Sequence, residues 1–314
     1  MALPIEVIIN AGSGSVLGEE TSRSLRDRFI AHGVRANVHL SQSGSDIEYL
    51  AKRAAAEADV IVAGGGDGTI STVAAEVSKA GKILGVLPLG TLNNFSKDLA
   101  IPQDLPGAVS TIAAGNVHVI DLAEVNGRPF INNSSIGLYP RIVMRRVEHQ
   151  RLGRGKWNAA FWAAVQMFRV SPFLKVRIEV DGKSFLRKTP FVFVGNNEYE
   201  MDLYNIGRRV ALDEGELSVY FLHRGGRWGV VLLLYHTLLG QLRQWKDFEE
   251  VNTAEITIQT RRKKLHVALD GEVRTMKTPL VYRTRPGALK VLVPGPVSQE
   301  SQTADLDLTK GMKT

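Results

Sequence analysis

A parallel α/β half followed by a mainly β half is the architecture that this 314-residue sequence predicts. Three observations carry the prediction. Up to residue 125, short β-branched runs alternate with amphipathic stretches, as a parallel sheet with helices on both faces requires. Polar glycine loops follow three of those runs. Beyond residue 117 the texture changes to short strands punctuated by Asn126-Gly127, Asp181-Gly182 and Asp270-Gly271, dipeptides that accept the positive φ of a two-residue hairpin turn.

In chain order, strands are expected at residues 6–9 (EVII), 36–40 (ANVHL), 60–63 (VIVA) and 83–87 (ILGVL), each a short run rich in branched apolar side chains. Helices are expected between them at residues 19–31, 46–57 and 70–79, where charged and apolar residues interleave at helical spacing. One exception to the β texture of the second half is residues 141–169, whose basic and apolar residues suit a helix or a helical excursion from the sheet. The expected division is residues 1–125, residues 126–296, and a polar tail at 297–314 that is too poor in apolar residues to bury much. That tail is expected to be disordered or to pack back on the first domain.

With 44% hydrophobic and 23% charged residues the chain has a globular balance and can bury a core. Cysteine is absent, which removes disulfides, thiolate nucleophiles, cysteine zinc sites and iron–sulfur clusters from consideration. Residues 1–125 hold 9 basic and 14 acidic residues, a net −5, whereas residues 126–314 hold 30 and 18, a net +12. The second half is therefore expected to meet something anionic, nucleic acid or a membrane surface. Residues 1–10 lack a basic leader and read as a strand, so a cytoplasmic protein is expected. The apolar run from Gly229 reaches about Leu242 only by including Tyr235, His236, Thr237 and Gln241, short of the ~20 apolar residues of a bilayer span.

The strongest local signal is AGGGDGTI, residues 63–70, set between a strand and a helical stretch. Consecutive glycines let backbone approach a ligand closely, and the amides entering the helix point at whatever anion sits there. A sharp strand-to-helix turn is the plainer alternative, but one or two glycines would serve it. Two better-known phosphate loops are excluded: GxxxxGK[ST] is absent, and Gly64, Gly65, Gly66 and Gly68 do not satisfy GxGxxG with an acidic residue ~20 positions on. PLGTLNNFS at 88–96 follows the next strand, and NAGSGS at 10–15 ends the first. Loops after neighbouring parallel strands share one sheet edge, so the three can line a single nucleotide cleft.

GGGDGT at 64–69, PLGTLNNF at 88–95, NAGSG at 10–14 and LDGE at 269–272 together resemble the diacylglycerol kinase catalytic family, which includes sphingosine kinases and bacterial lipid kinases. The resemblance spans residues 5 to about 295 with the motifs in order. It implies an α/β nucleotide domain related to the phosphofructokinase and NAD kinase folds, followed by a C-terminal antiparallel β-sandwich. ATP would lie in the cleft between the two, and a lipid hydroxyl would take its γ-phosphate. Carried over residue by residue, Gly65, Gly66, Asp67, Gly68 and Thr69 meet the phosphates and Mg²⁺, Asp67 as a metal ligand; Thr91 and Asn93 match the second loop and Asn10 the first. Asp270-Gly271 is also an ordinary hairpin turn, but the resemblance makes Glu272 the general base for the lipid hydroxyl, assisted by Asp270.

Two departures stand out. The family's second loop commonly reads GTxND, and Asn94 here replaces the Asp with a neutral amide. Residues 210–217 (VALDEGEL) resemble the segment that binds a structural Mg²⁺ in bacterial relatives, but Ala211 stands where a further acid sits. Asp213 and Glu214 could hold that ion only with a different ligand set; an acidic turn is the alternative. No two of the seven histidines have the i, i+4 spacing of a helical metal site. From Arg141 to Arg169 there are seven basic residues and one acidic, with Trp157, Phe161, Trp162 and Phe168 following closely. That composition suits a peripheral helix at an anionic lipid surface, and equally a solvated face over a buried aromatic stripe; Arg261, Arg262, Lys263 and Lys264 add to the positive surface or mark an exposed strand end. An NAD kinase and a non-catalytic nucleotide- or lipid-binding regulator are the competing readings. A nucleic-acid binder ranks last because no recognition motif accompanies the basic segment.

Overall fold

The computed structural model describes residues 4–11, 19–137, 173–200, 208–209, 211–222 and 248–295. Gly12 and Gly14, the segment 141–169, the run 229–242 and the tail from 297 lie outside them.

Four parallel strands form the first half: β1 (Ile5–Asn10), β2 (Ala36–Ser41), β3 (Val60–Gly65) and β4 (Ile83–Pro88), in the order β2-β1-β3-β4. Val7, Ile8, Ile9, Ile61, Val62 and Leu84 are fully buried, because both sheet faces are covered. The helices α2 (Gly44–Glu57) and α3 (Asp67–Lys79) pack on each other and on β1 and β3; α1 (Glu19–Ala31) and α5 (Leu105–Ala114) likewise pack on each other and against β2 and β4. Ser43 caps α2, its hydroxyl accepting from the Asp46 amide at 3.2 Å, and Asp104 caps α5 through the Gly107 amide at 2.8 Å. α3 begins at Asp67, three residues before the expected start at 70, because Gly66 is the extended N-cap and the DGT triplet forms the first turn. The short helix α4 (Asn94–Asp98) and α5 were not expected from periodicity; Asn93, the N-cap of α4, adopts a left-handed φ of 52°.

The β half begins with β5 (Val117–Val125), β6 (Arg128–Phe130), β7 (Asn133–Gly137), β8 (Leu174–Val180), β9 (Lys183–Thr189) and β10 (Phe191–Asn196). It continues with β11 (Tyr199–Glu200), β12 (Arg208–Arg209), β13 (Leu217–Leu222), β14 (Phe248–Thr253), β15 (Glu255–Thr260), β16 (Lys264–Leu269), β17 (Glu272–Lys277) and β18 (Leu280–Leu292). Each hairpin dipeptide sits where expected: Asn126-Gly127 joins β5 to β6, Asp181-Gly182 joins β8 to β9, and Asp270-Gly271 joins β16 to β17, with φ between 46° and 87° at all six residues.

The long strand β18 runs parallel beside β4 at one end and antiparallel to β5 and β15. Through it the parallel sheet continues into β15, β8 and β9, ten described strands in all. A second, antiparallel sheet of six strands, β14-β13-β10-β7-β16-β17, faces the outer part of the first. Alternate residues of the two meet in a core of their own, among them Val176 and Ile178 of β8, Ile256 and Ile258 of β15, Val192 and Val194 of β10, and Val219 and Phe221 of β13. This is a β-sandwich beside an α/β layer, as expected from the family resemblance.

Candidate active site

In an open parallel sheet, ligands bind outside the carboxyl ends of the strands, where the strand order reverses. Here that point lies between β1 and β3, and a side-chain bond marks it: Asn10 Nδ2 donates to Thr69 Oγ1 at 3.1 Å. The loop after β3 has little room. A Cβ on Gly65 would lie 2.7 Å from Thr69 Cβ, and one on Gly90 would lie 2.4 Å from Gly66 Cα. Glycine is thus required at Gly90, where the loop after β4 touches the loop after β3. In α3, Ile70 N–H bonds back to the Gly66 carbonyl at 3.1 Å, so the amides of Asp67, Gly68 and Thr69 occupy the helix N-terminus, where an anion is favoured.

Asp67 ties the loop after β3 to the loop after β4. Its carboxylate accepts from the amides of Phe95 at 3.0 Å and Asn94 at 3.2 Å, and from Asn132 Nδ2 at 3.4 Å. Asn93 is buried and donates to the Pro88 carbonyl at 3.2 Å, while its Oδ1 has no hydrogen-bond partner. Thr91 is exposed at the loop's edge.

Asp270 and Glu272 reach this edge from the β16–β17 hairpin. The Asp270 carboxylate accepts from the amides of Asn132 at 2.8 Å, Ile131 at 2.9 Å and Asn133 at 3.1 Å, and from the Ser71 hydroxyl on α3. Burial pushes its carboxyl above the ordinary carboxylate range, opposed by those four donors. Glu272, with a side chain 51% exposed, comes to Gly68: a Cβ there would sit 3.2 Å from Glu272 Oε1. Arg274 donates to its other oxygen at 3.2 Å. A hollow of about 390 Å³ lies between α3 and the two hairpins, lined by Gly68, Ser71, Arg128, Asp270, Glu272 and Arg274 among others. The turn dipeptide and the LDGE motif are therefore one feature: the turn delivers the acids.

Asp213 and Glu214 stand apart on an exposed turn. The acid beside that turn, Asp121, is 2% exposed, and both its oxygens are taken by backbone amides, Gly215 at 2.6 Å and Gly287 at 2.8 Å. Among the described residues no group of three or more His, Asp or Glu gathers as a metal site. Asp67 fits Mg²⁺ differently, as a single acid at the N-terminus of α3, where backbone amides favour an anion, with an unsatisfied buried acceptor, Asn93 Oδ1, in the adjoining loop. Mg²⁺ is usually held this way, by one or two carboxylates plus substrate phosphates.

Sequence reasoning missed Ser71, Asn132 and Arg209. None lies in a glycine motif, and each reaches the site through a partner far along the chain: Ser71 to Asp270 across 199 positions, Arg209 to Asp98 across 111.

Comparison with known proteins agrees with this fold. Residues 4–125 match the diacylglycerol kinase catalytic domain, and residues 136–293 match the YegS C-terminal NAD kinase beta sandwich-like domain. The diacylglycerol kinase of Bacillus subtilis (strain 168) is 26% identical over 272 residues, which cover 85% of this chain and 88% of that one. An uncharacterized protein of Synechocystis is 29% identical over 190 residues, covering 59% of this chain but only 44% of that longer one. A crystal structure of a diacylglycerol kinase from Bacillus anthracis superposes with a TM-score of 0.67 at 19% identity, covering 94% of this chain and 98% of that one, a likeness of fold. Glycine loops at the switch point, an acid pair delivered by a hairpin and a following β-sandwich thus occur together in a chain that belongs to the diacylglycerol kinase catalytic-domain family of lipid kinases.

Proposed function

We propose that the chain is an ATP-dependent lipid kinase that transfers the γ-phosphate of ATP to the hydroxyl of a diacylglycerol-like acceptor. The observation that carries this reading is the meeting of Glu272 with Gly68 at the head of α3, which puts a half-exposed carboxylate beside an anion-binding helix end.

Phosphoryl transfer needs positioning and charge neutralisation more than covalent help. The amides of Gly66, Asp67, Gly68 and Thr69 orient the phosphate chain, and Asn10 fixes Thr69. Asp67 would hold Mg²⁺, which supplies charge neutralisation at the phosphates. The acceptor oxygen bonds to the γ-phosphorus as the bond to the β-phosphate oxygen breaks, and Glu272 takes the hydroxyl proton while ADP departs. Asp270 holds the hairpin against α3 and the 131–133 backbone, which fixes where Glu272 stands.

On this reading residues 1–125 serve the nucleotide and 126–296 the lipid. Backbone amides and Mg²⁺ bind ATP in the acidic half without a cationic surface. The +12 charge of residues 126–314 suits transient, peripheral docking on an anionic membrane at the cytoplasmic side. No described helix is long and apolar enough to cross a membrane.

The test is incubation with labelled ATP, Mg²⁺ and mixed micelles of diacylglycerol, sphingoid base or phosphatidylglycerol, with NAD as a separate acceptor. Labelled lipid supports the proposal. Labelled NADP, or nucleotide binding without turnover on any acceptor, overturns it.

A further inference from the structure

Both sides of the proposed reaction centre are gripped by one buried cation. Arg209 has no exposed side-chain surface, and its partner Asp98 has 5%. Arg209 Nε donates to Asp98 Oδ2 at 2.8 Å, at the end of α4, and its guanidinium carbon lies 5.6 Å from the Phe95 ring centroid in the same helix. On the other side, Nη1 donates to the Ile131 carbonyl at 2.7 Å and Nη2 to Asn132 Oδ1 at 3.3 Å.

These two sides hold the two acids. The α4 amides of Asn94 and Phe95 hold Asp67, and the amides of Ile131, Asn132 and Asn133 hold Asp270. Asn132 closes the ring by donating its side-chain amide to Asp67 at 3.4 Å. A surface-exposed ion pair would contribute little. A guanidinium with no water access that spends its donors on a carboxylate, a carbonyl and an amide oxygen is instead a fixed strut, and its planar fork is not reproduced by lysine. Arg209 lies on β12, outside every glycine motif and outside the acid hairpin.

We propose that Arg209 is a positioning residue that sets the distance between the Asp67 loop and the Asp270–Glu272 hairpin by bracing α4 against the 131–133 backbone. It touches neither nucleotide nor acceptor and acts through Asp98, Ile131 and Asn132. The catalytic half of this inference rests on the lipid kinase reading, whereas the bracing half stands on the contacts alone.

The test uses the full chain with Arg209→Lys, and with Asn132→Ala as the milder variant should the lysine protein not fold. Amide hydrogen exchange needs no substrate. It is expected to quicken in both 93–98 and 130–134, with β1 and β3 unchanged. Loosening of only one segment, or of neither, in a folded variant overturns the brace. In the transfer assay, a displacement of about 1 Å at a reacting group is expected to lower kcat roughly 10²-fold. KM for ATP should stay within about threefold, since the phosphate amides remain. A loss confined to KM, or a kcat equal to wild type, overturns the positioning role. Should the unaltered protein phosphorylate no lipid, the kinase reading fails while the exchange result still decides the brace.

Discussion

Replacing Gly90 by alanine probes the contact on which the cleft depends. The added Cβ would lie 2.4 Å from Gly66 Cα, 2.7 Å from Asn93 Oδ1 and 3.1 Å from the Gly66 nitrogen. Two of these neighbours are backbone and the third belongs to a buried side chain, so no flexible end can swing away. Carbon atoms rest about 3.5–4.0 Å apart, so the two loops must separate by roughly 1 Å or more. Overpacking of this kind typically costs about 1–3 kcal/mol of stability. A shift of about 1 Å between the phosphate loop and its neighbour is expected to lower kcat for phosphoryl transfer on the order of 10²-fold. The assay pairs thermal unfolding with transfer kinetics, and uses Gly44→Ala as control because nothing lies within 4 Å of a Cβ there. A Gly90→Ala protein with wild-type unfolding and kcat within about threefold of wild type would refute the contact between the loops.

Three further outcomes follow from the same contacts. Gly68→Ala brings a Cβ to 3.2 Å from Glu272 Oε1, so Glu272 must shift by a few tenths of an ångström; a modest fall in kcat with unaltered unfolding is expected, and an unchanged kcat would show that Glu272 does not work beside Gly68. Asp270→Asn turns one acceptor oxygen into a donor facing amide donors, which costs about 1–3 kcal/mol. Because burial raises the Asp270 carboxyl, its contribution to stability is complete below the ordinary carboxylate value near pH 4 and lost as pH rises through the folded value. The wild-type advantage over Asp270→Asn in urea unfolding should therefore shrink from pH 3.5 to 7; an advantage that grows would mean that the four donors outweigh burial. Replacing Arg145, Arg146, Arg151 and Arg154 with Gln should weaken binding to anionic liposomes and spare nucleotide affinity, whereas unchanged liposome binding would move the docking surface elsewhere.

Features with local causes were legible in the sequence. Asn126-Gly127, Asp181-Gly182 and Asp270-Gly271, each between strand runs, accept positive φ and form hairpins at the expected positions, whereas Asp67-Gly68, between a strand and a helical stretch, opens α3 instead. The strand runs 6–9, 36–40, 60–63 and 83–87 fall inside β1 to β4; the inner strands β3 and β4 are covered on both faces and read as unbroken apolar runs, whereas the edge strand β2 admits Asn37 and His39. GGGDGT and PLGTLNNF were readable because a Cβ on Gly65 would meet Thr69 at 2.7 Å and one on Gly90 would meet Gly66 at 2.4 Å. Elements held by distant partners were not legible. α4 is five residues long and depends on Asp67 for its first amides, so periodicity had too little to work on. Asn132 follows a strand run that reads as apolar, and its importance lies in its reach to Asp67, Asp270 and Arg209 at once. Arg209 counts in the sequence as one more positive charge of the basic half, yet it is buried and paired with Asp98. The charge asymmetry thus overstates the free positive surface by at least that residue.

On the proposed mechanism Glu272 takes a lipid hydroxyl proton beside a phosphate chain seated on α3. The most direct measurement is transfer of label from γ-labelled ATP to diacylglycerol in mixed micelles with Mg²⁺, run for the wild-type chain and for Glu272→Gln alongside ATP affinity. Labelled lipid from the wild type, a fall of about 10²–10⁴-fold in the variant and an ATP affinity within about threefold are the predicted results. A Glu272→Gln protein that keeps its transfer rate would contradict the account.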